Sequence, residues 1–143
     1  MRFKTKAVTA EVVAFGSMLA MAPSAFADGD PSDCGSGKAC IWVDIHYQTS
    51  GSRFTHLDTT LWRATLPSSY DSKASSAYSN GTGGQGAYFY KQQKCVAGGA
   101  RFLMAAGTGD SDFTNGTPTG GFNDAVRSIV FNSATLILQC QAA

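Results

Sequence analysis

Residues 39–54 read ACIWVDIHYQTSGSRF, and residues 87–102 read AYFYKQQKCVAGGARF. Both segments begin with Ala, continue into an aromatic-rich run, contain an aligned glycine and end in Arg-Phe. A second pair follows in the same order, with YDSKASSAYSN at 70–80 and FNDAVRSIVFN at 122–132. Two matching pairs in one order indicate an internal duplication, with repeats of about 39–80 and 87–132.

Each repeat predicts four short strands, because aromatic and β-branched residues come in short runs between Gly-, Ser- and Asn-rich turns. The predicted strands are 39–45, 53–57, 61–66 and 75–80 in the first repeat, then 87–93, 101–105, 112–115 and 126–132, with a last strand at 135–139. Four short strands cannot bury a face alone. The two repeats therefore predict one all-β sandwich with a shared core.

Residues 1–27 have the pattern of a secretory signal peptide. Three basic residues lie within the first six positions, an apolar run follows, and Ala25-Phe26-Ala27 matches the small-residue cleavage pattern. The apolar run is about 11 residues long, and a membrane span needs about 20. We therefore predict a secreted, extracellular bacterial protein without a membrane anchor, in which residues 28–143 form a single domain and a monomer.

The charge balance and the motif content exclude two broad classes of function. Without the first 27 residues, eight basic and nine acidic side chains remain in no long run, which disfavours nucleic acid as a partner. The sequence has neither G-x-S-x-G nor H-E-x-x-H, and neither His46 nor His56 falls in a catalytic motif of fixed spacing. The sequence therefore predicts a protein that is not an enzyme.

The sequence contains four cysteines, Cys34, Cys40, Cys95 and Cys140. An even number of cysteines behind an export signal predicts two disulfides, for which three pairings exist. Five residues that include two glycines separate Cys34 from Cys40, which suits a tight local loop. We therefore favour Cys34–Cys40 with Cys95–Cys140. A zinc site would need paired C-x-x-C spacing, which is absent.

The first repeat carries the residues of a known motif. Trp42, Tyr47 and Gly51, followed by D-S-K-A-S-S at 71–76, resemble the βγ-crystallin Greek-key motif. The opening C-x-x-G-x-x-C-I-W at 34–42 is similar to the secreted actinobacterial peptidase-inhibitor family typified by Streptomyces metalloproteinase inhibitor. The resemblance implies a two-Greek-key, βγ-crystallin-like sandwich, and it implies that the partner is an extracellular peptidase of the metallo or serine type whose cleft the inhibitor occupies.

The crystallin motif also assigns roles to particular residues. In each repeat a glycine, Gly51 or Gly99, is expected to take positive φ where the first hairpin folds over. The hydroxyls of Ser76 and Ser128 are expected to hydrogen-bond to the folded hairpins. The glycine spacing departs from the family, and Cys95 replaces the second repeat's aromatic, which indicates enlarged hairpin loops.

Calcium is one candidate ligand, because the resemblance implies that [ND]-[ND]-x-x-[ST]-S supplies oxygen ligands for Ca²⁺. The first motif keeps Asp71 and Ser75, whereas the second keeps Asn123 and Asp124 but has Arg127 at the hydroxyl position. We expect at most a weak calcium site and otherwise no cofactor. The alternative is that these residues only cap turns.

The hairpin 91–100, KQQKCVAGGA, is the candidate inhibitory loop, with Lys94, Cys95, Val96 and Ala97 at its centre. A disulfide would hold such a segment rigid, and an apolar Val96 would suit a primed-side pocket of a metallopeptidase. The alternative is that Cys95 only staples the fold and Val96 packs beneath the loop. Other functions open to the same fold are a Ca²⁺-binding or structural module and a secreted toxin or cell-wall-binding protein.

Overall fold

The computed structural model describes residues 29–48, 53–59, 64–96, 98–116, 118–133 and 140. The predicted signal segment and the predicted strand 135–139 lie outside these residues. The described residues form β1 (Lys38–Trp42), β2 (Arg53–Leu57), β3 (Ala64–Thr65), β4 (Ser76–Asn80), β5 (Ala87–Tyr90), β6 (Arg101–Met104), β7 (Thr108–Asp110) and β8 (Ser128–Phe131). Within this part of the chain, no helix is long and apolar enough to cross a bilayer.

The strands form two antiparallel four-stranded sheets, in the orders β2-β1-β4-β7 and β3-β8-β5-β6. The third strand of each repeat crosses to the other repeat's sheet, so that β3 pairs with β8 and β7 pairs with β4. The all-β sandwich is therefore confirmed as two interlocked Greek keys. Neither sheet is complete without a strand from the other repeat, so the two repeats share both sheets.

The predicted strand at 112–115 is wrong, because the third strand of the second repeat is Thr108–Asp110 and residues 112–115 form turns and a bend. The Asp112 carboxylate accepts hydrogen bonds from the Thr114 N–H at 2.9 Å and the Thr114 hydroxyl at 2.5 Å. It also accepts one from the Asn115 amide at 2.9 Å. Such local side-chain bonds offer the backbone an alternative to strand pairing.

The shared core lies between the inner faces of the two sheets. Phe102 is at its centre, stacked on Phe89 at a centroid distance of 5.0 Å and edge-on to Phe113 at 5.5 Å and Phe122 at 4.8 Å. Ile41 from the other sheet is fully buried in the same cluster. Burial of such side chains stabilises the fold by roughly 1.5–3 kcal/mol each.

The outer face of the first sheet carries a second, smaller cluster. Trp42 is fully buried there beside the Cys34–Cys40 disulfide, with Tyr47 and Tyr78 packed against it. The second disulfide joins Cys95 to Cys140 across 45 positions. Both disulfides have the pairing that the spacing favoured, and each fixes a segment that lies outside the strands.

Candidate inhibitory loop and the paired crystallin-type motifs

The candidate loop joins β5 to β6 and is closed at both its base and its tip. At the base, the Lys91 N–H donates to the Ala100 carbonyl at 3.0 Å. At the tip, the Gly99 N–H donates to the Val96 carbonyl at 2.9 Å. Gly98, the third residue of this four-residue turn, has a φ of 77°. Positive φ at the third position is typical of a type II turn and favours glycine.

The predicted glycine role is wrong by one position, because Gly98 rather than Gly99 takes the positive φ. Gly99 is required for a different reason. A Cβ atom there would lie 2.7 Å from the Gln92 side-chain oxygen and 3.0 Å from the Val96 carbonyl oxygen. The two glycines therefore supply, respectively, the turn conformation and the space for a close approach. Gly51, the expected equivalent in the first repeat, lies outside the described residues.

Three anchors hold the first half of the loop. The Ser128 hydroxyl donates to the Gln92 carbonyl at 2.7 Å, and the Thr65 hydroxyl donates to the Gln93 carbonyl at 2.5 Å. The third anchor is the disulfide of Cys95. The main chain is therefore fastened to β8, to β3 and to Cys140 immediately before Val96.

The anchored segment leads into an exposed apolar side chain. Lys94 is exposed, Cys95 is buried with 1% of its surface accessible, and Val96 is exposed with 39% accessible. Ala97 lies outside the described residues. Val96 therefore does not pack beneath the loop, and of these two neighbours Val96 is the one whose side chain can enter a partner's pocket.

The first repeat contains the equivalent of the serine anchor. The Ser76 hydroxyl donates to the Asp44 carbonyl at 2.7 Å and accepts from the Tyr47 N–H at 3.3 Å. The expectation that Ser76 and Ser128 pin the two folded hairpins is confirmed. In this hairpin His46 and Tyr47 are both left-handed, with φ of 59° and 53°.

The calcium-type motif of the first repeat is engaged by an arginine. The Arg127 guanidinium donates from Nε to Asp71 Oδ1 at 2.8 Å and from Nη2 to Oδ2 at 2.9 Å. These hydrogen bonds lower the pKa of the Asp71 carboxyl to about 2. A cation at Asp71 does not fit this arrangement, because both carboxylate oxygens already bind a positive group.

The motif of the second repeat is arranged differently. The Asn123 amide donates to Asp124 Oδ2 at 2.8 Å, whereas Asn123 Oδ1 is buried and has no hydrogen-bond partner. Ser75, from the first repeat, is also buried. The described part of the chain holds no group of three or more His, Cys, Asp or Glu residues that could bind a metal. Calcium binding through Ser75, Asn123 and Asp124 stays a prediction.

The two histidines occupy unrelated environments. His56 is buried and stacks on Phe131 at a centroid distance of 5.7 Å, and this burial lowers the pKa of its imidazole. His46 lies on the short turn Ile45–Tyr47 that follows β1. His56 therefore has the environment of a core residue.

Two interlocked Greek keys and a disulfide-anchored loop define a βγ-crystallin-like domain that presents an exposed apolar side chain beside a buried cystine. Residues 27–103, more than half of the chain, match peptidase inhibitor family I36. The chain belongs to this family, and it is a peptidase inhibitor rather than an enzyme.

A solved structure described as "Evolution of the eye lens beta-gamma-crystallin domain fold" is similar to this chain with a TM-score of 0.52 and 15% sequence identity. The match covers 69% of this chain and 88% of that chain, and it establishes the fold. No curated protein sequence matches significantly.

Proposed function

We propose that this protein is secreted and inhibits an extracellular metallopeptidase by placing Val96 in the primed-side pocket of the cleft. The observation that carries the proposal is the contrast between two adjacent residues. Cys95 is buried and disulfide-bonded, whereas Val96 is exposed. The peptide bond offered to the enzyme is then Cys95–Val96.

The contrast favours a metallopeptidase over a serine peptidase. Serine peptidases of the trypsin type select the side chain before the scissile bond, which enters their specificity pocket. The Cys95 side chain is tied to Cys140 and cannot enter such a pocket. A peptidase that selects an apolar side chain after the scissile bond would instead accept Val96.

The anchors explain why the bound loop would inhibit rather than leave as product. If the Cys95–Val96 bond is cut, the new carboxyl end stays attached through the Cys95 disulfide. The new amino end stays held by the hydrogen bond from the Gly99 N–H to the Val96 carbonyl. Both ends remain in place for religation, and a loop that is already ordered loses little conformational entropy on binding.

The test is a titration of the oxidised protein against a thermolysin-like metallopeptidase and a subtilisin-like serine peptidase, followed by mass spectrometry. We expect stoichiometric inhibition of the metallopeptidase and a slow cut between Cys95 and Val96. Inhibition of the serine peptidase alone, or a cut after Lys94 or Val96, would contradict the proposed enzyme class. An absence of inhibition by folded protein in excess would contradict the proposed mechanism for both classes.

A further inference from the structure

An ion pair behind the inhibitory loop is connected to it at two points. Asp71 Oδ2, which accepts from Arg127, also accepts from the Gln93 side-chain amide at 3.2 Å. The Arg127 N–H donates to the Tyr90 carbonyl at 2.8 Å, immediately before the loop. The pair therefore contacts the end of β5 through main chain and the loop itself through Gln93.

Comparison of the two repeats shows which contacts both folded hairpins share and which contact is found only at the β5–β6 loop. Ser75 occupies the position equivalent to Arg127, and its N–H donates to the Trp42 carbonyl at 2.9 Å. This bond is the counterpart of the bond from Arg127 to Tyr90. The backbone arrangement is therefore present in both repeats, but the guanidinium is present only behind the loop that carries Val96.

We infer that Asp71 and Arg127 are positioning residues of the inhibitory loop, with the guanidinium standing where crystallin-type motifs would use a cation. The inference rests on the proposed function, because it assigns the pair to holding Cys95–Val96 in the geometry that resists turnover. Bidentate carboxylate–guanidinium pairs fix orientation as well as distance. The Gln93 amide transmits that orientation to the segment immediately before Cys95.

The exposure of the pair predicts where its effect will be seen. The Arg127 and Asp71 side chains retain 38% and 17% of their accessible surface. Partly exposed ion pairs contribute little to global stability, because water and salt screen the two charges. Loss of the pair should therefore change the order of the loop and the inhibition constant much more than the melting temperature.

The experiment compares D71N and R127Q with the control D58N in the oxidised protein. Asp58 also accepts two hydrogen bonds, from the N–H and hydroxyl of Thr82, in the connection between the repeats. We expect D71N and R127Q to weaken metallopeptidase inhibition at least about tenfold and to speed cutting of the loop. R127K, which keeps the charge but not the bidentate geometry, should fall between wild type and R127Q.

Hydrogen exchange of the Gly99 and Lys91 amides in the free protein gives a second readout that does not depend on a peptidase. Faster exchange in D71N and R127Q, with D58N like wild type, supports the inference. If folded D71N and R127Q inhibit the metallopeptidase and exchange these amides as the wild-type protein does, the inference about the ion pair is wrong. The proposed function would remain intact. If wild type itself inhibits nothing, the proposed function fails, and loop exchange alone decides whether the pair positions the loop.

Discussion

The hydroxyls of Ser76 and Ser128 make the same hydrogen bond, each donating at 2.7 Å to a carbonyl oxygen of the preceding folded hairpin. Their acceptors are Asp44 and Gln92, at equivalent positions in the two repeats. Both serines are fully buried. Because one hairpin carries the proposed inhibitory loop and the other does not, the two serines form a matched pair for separating stability from inhibition.

Replacement of either serine by alanine should destabilise the fold by about 1–3 kcal/mol, because each change leaves a partly buried carbonyl without its donor. S76A should cost at least as much as S128A, since the Ser76 hydroxyl also accepts from the Tyr47 N–H. Only S128A should also weaken inhibition and speed loop cutting, since Gln92 belongs to the loop. Thermal unfolding and peptidase titration of S76A and S128A check this. Equal losses of inhibition in two equally folded variants would show that the Ser128 anchor has no special role in the loop.

Replacement of Val96 by aspartate should abolish inhibition of a metallopeptidase, because a charged side chain would be desolvated in an apolar pocket. V96A should retain a weaker inhibition. Leu57 is a matched control, since its side chain is 45% exposed and lies on β2 in the other sheet. The measurement is the inhibition constant of V96D and of L57D against the metallopeptidase. If the two constants are equal, Val96 does not contact the enzyme.

Removal of each disulfide should have a distinct result. In the loop-entropy model, C34A/C40A loses about 2 kcal/mol, whereas C95A/C140A loses about 4 kcal/mol because its loop is longer. C95A/C140A should also convert the inhibitor into a substrate, since the cut end at residue 95 is then free to leave. Denaturant unfolding and cleavage rates measure the two effects. A C34A/C40A variant that is cut as fast as C95A/C140A would point to global loosening instead.

Acid should destabilise the protein through His56. Burial lowers its pKa in the folded state below 6.5, so the unfolded chain binds a proton more readily. The stabilising effect of neutral His56 is complete above pH 6.5 and is lost as the pH falls through that value toward the folded-state pKa.

Melting temperatures between about pH 7.5 and about pH 5 measure this loss. The variant H56L should be less sensitive to pH, because it has no imidazole to protonate in the core. If the melting temperature of folded H56L falls with pH as steeply as that of the wild-type protein, the acid sensitivity belongs to other groups.

Calcium should leave the melting temperature of the wild-type protein nearly unchanged, because Arg127 already binds both oxygens of Asp71. The variant R127S places at this position the residue type found at Ser75 and frees the Asp71 carboxylate. We expect R127S to gain a calcium-dependent increase in melting temperature, measured against magnesium as the control ion. A large calcium response in wild type would instead indicate binding at Asn123, which N123A would remove.

The sequence alone was sufficient for the duplication, the strand-rich composition, the two serine pins and the favoured disulfide pairing. The duplication and the composition are visible in the chain itself, and the Cys34–Cys40 pairing follows from a short separation that leaves Cys95 to pair with Cys140. The serine pins follow from the resemblance to the crystallin motif, because both repeats carry the serine at the same position. The repeat alignment also predicts Gln92 as the residue whose carbonyl accepts from Ser128. Gln92 lies 48 positions after Asp44, whose carbonyl accepts from Ser76. The left-handed residues at Ser72 and Asp124 follow the same duplication.

Only the tertiary structure decided the exchange of β3 and β7 between sheets, the contact of Thr65 with Gln93 and the ion pair between Asp71 and Arg127. It also decided that Val96 is exposed while Cys95 is buried. Strand periodicity reports which side of a strand is apolar, but not which distant strand will lie beside it. Those neighbours are selected by closure of the shared core, a property of all the strands together.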